Sequence, residues 1–402
     1  MYDILIIGGG AAGFFTAINC KEKNKNLKVA ILERGKEFLT KVKVSGGGRC
    51  NVTNSIFDAK ELSKNYPRGE KQLLGPFHTF GCQDTMTWFK KNGVSLKIEN
   101  DGRVFPTSDN SQTIIDCFLN LTDKLQIDLL TNQSVKAIQK KDDLWLVESL
   151  SETYYTKNLV LATGSNPKIW DLLAQLDIQM VSPVPSLFTF NIKDKKLNDL
   201  MGIAMPAQVK VDGEKLNSEG PVLITHWGLS GPAILKISAW GARRLFEKNY
   251  QFKIVINWTN LKELDVLNEL KHYKTNHSKQ QLKNAVLFGF SKRFWLYLLA
   301  SANVNENDQW ANLSNKILTD LHQKIANSVF DVNGKSTFKE EFVTAGGVEL
   351  SEINFKKMSS KKFENLYFAG EILDIDAITG GFNFQNAWTG GWIISEDLKN
   401  KS

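Results

Sequence analysis

Four apolar residues, Ile4-Leu5-Ile6-Ile7, stand at the head of the chain and pass directly into Gly8-Gly9-Gly10-Ala11-Ala12-Gly13 and an apolar stretch of helical spacing. A second apolar run, Val29-Ala30-Ile31-Leu32, ends in Glu33 and Arg34. Strand, glycine turn, helix and strand in that order predict a nucleotide-binding βαβ unit. Gly8 permits the tight turn, Gly10 lets backbone approach a pyrophosphate, and Gly13 lets the helix sit close on the sheet. Ala11 and Ala12 open the helix, whose bare N–H groups point at the phosphates. Glu33 lies twenty positions after Gly13, where an adenosine ribose hydroxyl needs an acceptor.

Strand and helix patterns keep alternating through the first third, as in a doubly wound sheet. A helix is expected near Gln83 to Lys91 and another around Ser111 to Leu125. Three strand-like runs follow, Ser134 to Gln139, Leu144 to Glu148 and Tyr154-Tyr155, in the manner of a meander. Leu159-Val160-Leu161-Ala162-Thr163-Gly164 then predicts a separate buried strand ending in a glycine turn. From about Phe188 the runs are β-like, whereas Leu261 to Ser328 reads mostly helical. Near Thr344-Ala345-Gly346-Gly347-Val348 the glycine-rich style resumes. The expected organisation is α/β: a discontinuous Rossmann-like domain over residues 1–190 and 345–402, interrupted at 191–344 by a β-rich domain with a helical subdomain at about 261–328.

The glycine fingerprint alone does not separate NAD from FAD. The turns at Thr163-Gly164 and Gly370-Glu371 decide for FAD, because a large flavin dinucleotide needs several strand ends to cradle its length. After the second of these come Gly380-Gly381-Phe382-Asn383 and an apolar helix, whose start could aim N–H donors at the flavin edge. No second fingerprint follows a strand. A nicotinamide donor, NAD(P)H, is therefore expected to dock transiently.

At Ser45-Gly46-Gly47-Gly48-Arg49-Cys50-Asn51-Val52-Thr53-Asn54, Gly102-Arg103-Val104-Phe105-Pro106, Thr225 to Leu235, Thr344 to Val348 and Gly370-Glu371-Ile372-Leu373-Asp374, the chain resembles the BaiN/RdsA family of NAD(P)/FAD-dependent oxidoreductases along essentially its whole length. The resemblance implies an FAD domain interrupted by a β-barrel-like domain and a small helical domain. It also implies one of three activities: reduction of a uridine in ribosomal RNA, reduction of a bile-acid enone, or oxidation of aminoacetone. The favoured expectation is NAD(P)H-driven reduction of a conjugated C=C bond in an rRNA uridine. The alternatives are a small-molecule enone reductase or amine oxidase, and a non-catalytic flavin-binding protein. Val135, Asp374 and Asn383 complete the expected cofactor set.

The Ser45–Asn54 segment is too glycine-dense for a strand and too polar for a core. Gly46, Gly47 and Gly48 expose backbone N–H groups and Arg49 adds a fixed cation, which suits a phosphate or the flavin ring. Cys50 is a candidate proton donor, or else a small buried cysteine. His226, at a strand end, carries an imidazole suited to proton transfer near neutral pH, or is a structural histidine. Ser230 reads as an N-cap and Pro232 as a first-turn residue. No metal site is expected.

At 402 residues the chain suits two or three domains. Four scattered cysteines suggest no disulfide framework, and the first strand starts too close to Met1 for a leader, so a cytoplasmic protein is expected. No apolar run approaches membrane-spanning length. Of the net charge of +7, a difference of 6 arises between Asn191 and Thr344, with 21 Lys plus Arg against 15 Asp plus Glu. Within it, Lys271, Lys274, Lys279, Lys283, Lys292 and Arg293 occur with no acid between Lys271 and Asn305. This is either a solvated face or a surface for ribosomal RNA.

Overall fold

The computed structural model describes residues 1–336 and 343–401. Its chain divides into two compact units, Met1–Val184 with Phe338–Ser402, and Pro185–Thr337.

In the first unit, parallel strands run in the spatial order Leu366–Phe368, Thr153–Leu161, Tyr2–Ile7, Val29–Leu32 and Asp128–Leu130. Registers such as Ile7 beside both Leu32 and Leu161 align their carboxyl ends at one edge. Val29–Leu32 is buried at every position, as expected of a central strand of a parallel sheet covered on both faces. The runs expected as two strands, Tyr154-Tyr155 and Leu159–Ala162, are one strand, Thr153–Leu161. Its first half closes an antiparallel meander with Leu144–Ser149 and Val135–Lys141, and its second half joins the parallel sheet. Nothing in the sequence between the runs, Thr156 to Asn158, forces a turn.

Under the sheet, the helices Ala11–Lys23, Cys82–Lys91, Gln112–Lys124 and Phe382–Leu398 meet in an aromatic cluster. Phe15 lies 4.7 Å from Trp88 and 5.2 Å from Trp388, ring centre to ring centre, and Phe118 lies 5.6 Å from Trp388. Such buried rings each contribute about 2 to 3 kcal/mol through lost apolar surface. They bind the C-terminal helix to the first one and so fix where each begins.

The second unit is a closed six-stranded barrel of Thr189–Ile192, Gly228–Ser230, Asn217–Thr225, Ala204–Val211, Gln251–Asn257 and Ser328–Ser336. Ala204–Val211 alternates exposed and buried at every residue, as a barrel wall requires. Between the last two strands the chain forms the helices Glu263–Asn276, Lys292–Ser301 and Asn315–Ala326. Ser291 and Ser314 cap the latter two, and Trp258, Trp295 and Trp310 are buried with them. Among the described residues no helix is long and apolar enough to cross a membrane.

Candidate functional site

The three fingerprint glycines are separable by what a methyl group would meet on each. At Gly8, with φ of +113°, it would fall 2.3 Å from the carbonyl oxygen of Ala162, and at Gly13 it would fall 2.0 Å from that of Gly8. At Gly10 it would meet nothing within 4 Å. The first and third glycines therefore allow protein to touch protein. The second fronts open space at the start of the helix Ala11–Lys23, whose first N–H groups lack intrahelical partners. This cradle suits a pyrophosphate.

The other turns gather at the same sheet edge. Glu33 accepts from the N–H of Gly9 at 2.9 Å and from that of Gly35 at 2.8 Å, one bond to each carboxylate oxygen, which leaves lone pairs for a ribose. Beside it a cleft is lined by Gly8, Glu33, Arg34, Val135, Thr163 and Asn166, among others. Gly370 packs against Ala12. Glu371 reaches the Gly164 turn and pairs with Lys41 at 2.6 Å. Asp374 is buried, its N–H bonded to Val348.

Ser45–Asn54, expected to be too polar for a core, divides into an open half and a buried half. Its first half is open: Gly46 and Gly47 are exposed, with left-handed φ of +58° and +67°, and a methyl on Gly47 or Gly48 would meet nothing within 4 Å. Its second half, Cys50 and Val52 to Asn54, is core. With its carboxamide turned to suit its neighbours, Asn51 accepts from the N–H of Gly381 at 2.9 Å and donates to the carbonyl of Thr53 at 3.0 Å. Asn54 donates to the Gly380 carbonyl at 3.0 Å. The Thr53 and Thr85 hydroxyls both donate to Gln385 Oε1, at 2.6 and 2.9 Å. These polar residues tolerate burial because every one is hydrogen-bonded. Together they moor the start of the helix Phe382–Leu398. Asn383, expected at the cofactor, accepts from the Ala377 N–H at 3.1 Å.

Two candidates from this loop are corrected. Cys50 has no exposed surface, and burial pushes its thiol up to about 12 against the opposing hydrogen bond of Ser45. In this arrangement a substrate cannot reach it, so it packs the core and is no proton donor. Arg49 is not a free cation: it pairs with Glu99 at 2.7 Å and Asp109 at 3.4 Å and lies 3.9 Å over the Phe105 ring. Ordinary neutralisation by carboxylates leaves it little charge to offer a phosphate.

In the second unit His226 is exposed at the tip of the hairpin formed by Asn217–Thr225 and Gly228–Ser230. Ser230 ends the second strand instead of capping a helix. Gly231 takes the cap position before Pro232–Trp240, because its φ of +94° and a backbone neighbour 2.7 Å from any Cβ exclude other residues. Half of the basic stretch is occupied internally. Lys274 donates to the Leu313 carbonyl at 2.5 Å, Lys283 to Asn307 at 2.7 Å and Arg293 to the Asp199 carbonyl at 2.8 Å. Lys271, Lys279 and Lys292 are exposed.

Residues 2–397 match the family model described as "HI0933-like protein Rossmann domain". The chain belongs to the HI0933-like family. This family comprises the BaiN/RdsA-type FAD oxidoreductases, so the chain is an FAD-dependent oxidoreductase. It is 27% identical to the ribosomal RNA dihydrouridine synthase of Escherichia coli strain K12, across 99% of this chain and 98% of that one. It is 25% identical to the 3-dehydro-bile acid delta(4,6)-reductase of Clostridium scindens, across 98% of each. Its fold is shared with the 3-ketosteroid-delta4-(5alpha)-dehydrogenase of Rhodococcus jostii RHA1, at TM-score 0.52, 11% identity, and coverage of 99% and 97%.

The open backbone at Gly10, the cleft beside Glu33 and the uncluttered Gly47-Gly48 backbone fit the FAD that the family carries. Sequence reasoning missed Lys41, Asn166, Thr53 and Gln385 at this edge. Asn166 before Pro167 had the form of a helix cap, and its side chain does accept from the Lys168 N–H. Lys41 and Gln385 gave no local signal, since the partner of Lys41 is 330 positions away and Thr53 lies 332 positions from Gln385.

Proposed function

We propose that this enzyme reduces the C5–C6 bond of a uridine in ribosomal RNA with NAD(P)H as electron source. The observation that carries the reading is the likeness, end to end, to a relative named for that reaction. Gly8 to Gly13 would hold the FAD pyrophosphate, Glu33 the ribose, and Arg34, Val135 and Thr163 the adenosine end. The helix start after Gly381, moored by Asn51, Thr53 and Gln385, would face the flavin edge, where its first-turn N–H groups favour negative charge.

FAD held by these residues would supply the hydride chemistry, with electrons from NAD(P)H, for C6, the carbon conjugated to the C4 carbonyl. C5 then needs a proton. With Cys50 sealed in the core, exposed His226 is the candidate to deliver it. The sum is uridine, NAD(P)H and a proton giving dihydrouridine and NAD(P)⁺. An rRNA substrate would put the enzyme in the cytoplasm.

A second reading, reduction of a small enone, is favoured by the Clostridium scindens relative and uses the same conjugate addition on another substrate. The test is the dihydrouridine content of large-subunit rRNA from cells lacking the gene. Loss of one modified position is expected, and an unchanged profile contradicts the RNA reading.

A further inference from the structure

A cleft of about 460 Å³ lies wholly within the Pro185–Thr337 unit, lined by Lys193, Asp194, Lys195, Asn198, Asp199 and His226. It forms where the barrel strand Thr189–Ile192 ends and turns into the short helix Lys195–Asn198. The hairpin tip is fastened there by the Ile192 N–H donating to the Trp227 carbonyl at 2.9 Å. The helix Lys292–Ser301 reaches the same place through Arg293, bonded to the Asp199 carbonyl, and Tyr297, whose hydroxyl donates to Asp194 at 3.4 Å.

The charges in this cleft are not balanced. Lys193 and Lys195 are exposed, and neither ammonium has an ion-pair or hydrogen-bond partner among the described residues. The carboxylate of Asp194 is committed to the Leu197 N–H at 3.0 Å and to Tyr297, which leaves Asp199 as the one uncommitted acid of the lining. Asn198 donates its side-chain amide to the Ile192 carbonyl at 3.2 Å. His226 offers an exposed ring edge-on to Trp227. Two free cations and an aromatic face match a nucleotide, which brings phosphate anions and a flat base. The volume is within the range of small-ligand sites.

The geometry points to this cleft as an RNA-backbone contact of the enzyme, with Lys193 and Lys195 on phosphates of the bound strand and His226 in its wall. The inference rests on the RNA reading above. It moves the phosphate contacts away from the helical basic stretch, where Lys274, Lys283 and Arg293 are tied to their own unit.

The test is fluorescence anisotropy of the FAD-loaded protein with a labelled, uridine-containing single-stranded RNA of about 15 nucleotides, from about 50 to about 200 mM KCl. The Lys193→Gln/Lys195→Gln variant is expected to flatten the log affinity against log salt slope by about 1.4, so that the unaltered protein loses about sevenfold more affinity over that range. Lys193→Arg/Lys195→Arg should restore the slope, and FAD content and the unfolding midpoint report folding of both variants. If the unaltered protein binds RNA and the Gln variant keeps its slope and affinity, the cleft assignment is overturned while the RNA reading stands. If the unaltered protein does not bind RNA, both are overturned.

Discussion

A methyl group added to Gly13 would lie 2.0 Å from a backbone oxygen, and one added to Gly47 would meet nothing within 4 Å. The two glycine-rich loops of the nucleotide-binding unit thus need glycine for different reasons. Gly8 and Gly13 are required by packing, because strand, loop and helix touch there without room for a Cβ. Gly47 is required by conformation, since its left-handed backbone strains any side chain even in open space, and Gly46 combines the same backbone with a Cβ position 2.9 Å from the Asn51 nitrogen. The first loop is a rigid floor with one opening, at Gly10. The second is an open ledge whose far end, from Cys50 to Asn54, is bolted into the core.

Four substitutions probe this contrast. Gly13→Ala should cost about 3 kcal/mol in urea unfolding, because backbone must move; a loss below about 0.5 kcal/mol would remove the packing argument. Gln385→Leu, which unbolts the second loop by stripping partners from Thr53, Thr85 and Thr389, should cost about 2 kcal/mol by the same assay. Gly10→Ala, at φ of −98° and facing open space, should leave stability nearly unchanged yet weaken FAD binding by about tenfold, or about 1.4 kcal/mol. Fluorescence titration of the apoprotein with FAD measures this, and unchanged affinity would mean that the opening does not receive the pyrophosphate. Gly47→Ala should cost about 1 kcal/mol by thermal or urea unfolding. If it costs as much as Gly13→Ala, the two loops do not differ.

The legibility of these loops followed the range of their interactions. The constraint on Gly13 comes from Gly8 and Ile6 of the same βαβ unit, so its need for glycine was legible in the spacing, whereas Gly8 is also held against the carbonyl of Ala162, far along the chain. The burial of Thr53 depends on a helix more than 300 positions away, and no local composition signals that the end of a polar, glycine-rich segment will be bonded to Gln385. The basic stretch shows the same dependence on distant partners. It reads as either a solvated face or an RNA surface, and two of its cations, Lys274 and Arg293, are held by the carbonyls of Leu313 and Asp199, acceptors that every residue carries and no charge count records. The single strand Thr153–Leu161 was divided in the sequence reading because polar Lys157 and Asn158 interrupt its apolar pattern, although Asn158 is buried and donates to the Asp3 carbonyl at 2.9 Å.

The most direct test of the proposed chemistry is anaerobic. The FAD-loaded enzyme is bleached with one equivalent of NADPH, then mixed in parallel with uridine-containing large-subunit rRNA and with a conjugated steroid enone, and flavin colour is followed. Return of colour with the RNA, with dihydrouridine formed in equal amount, is the predicted result. Return of colour with the enone alone, the RNA remaining unmodified, would contradict the assignment of an RNA substrate.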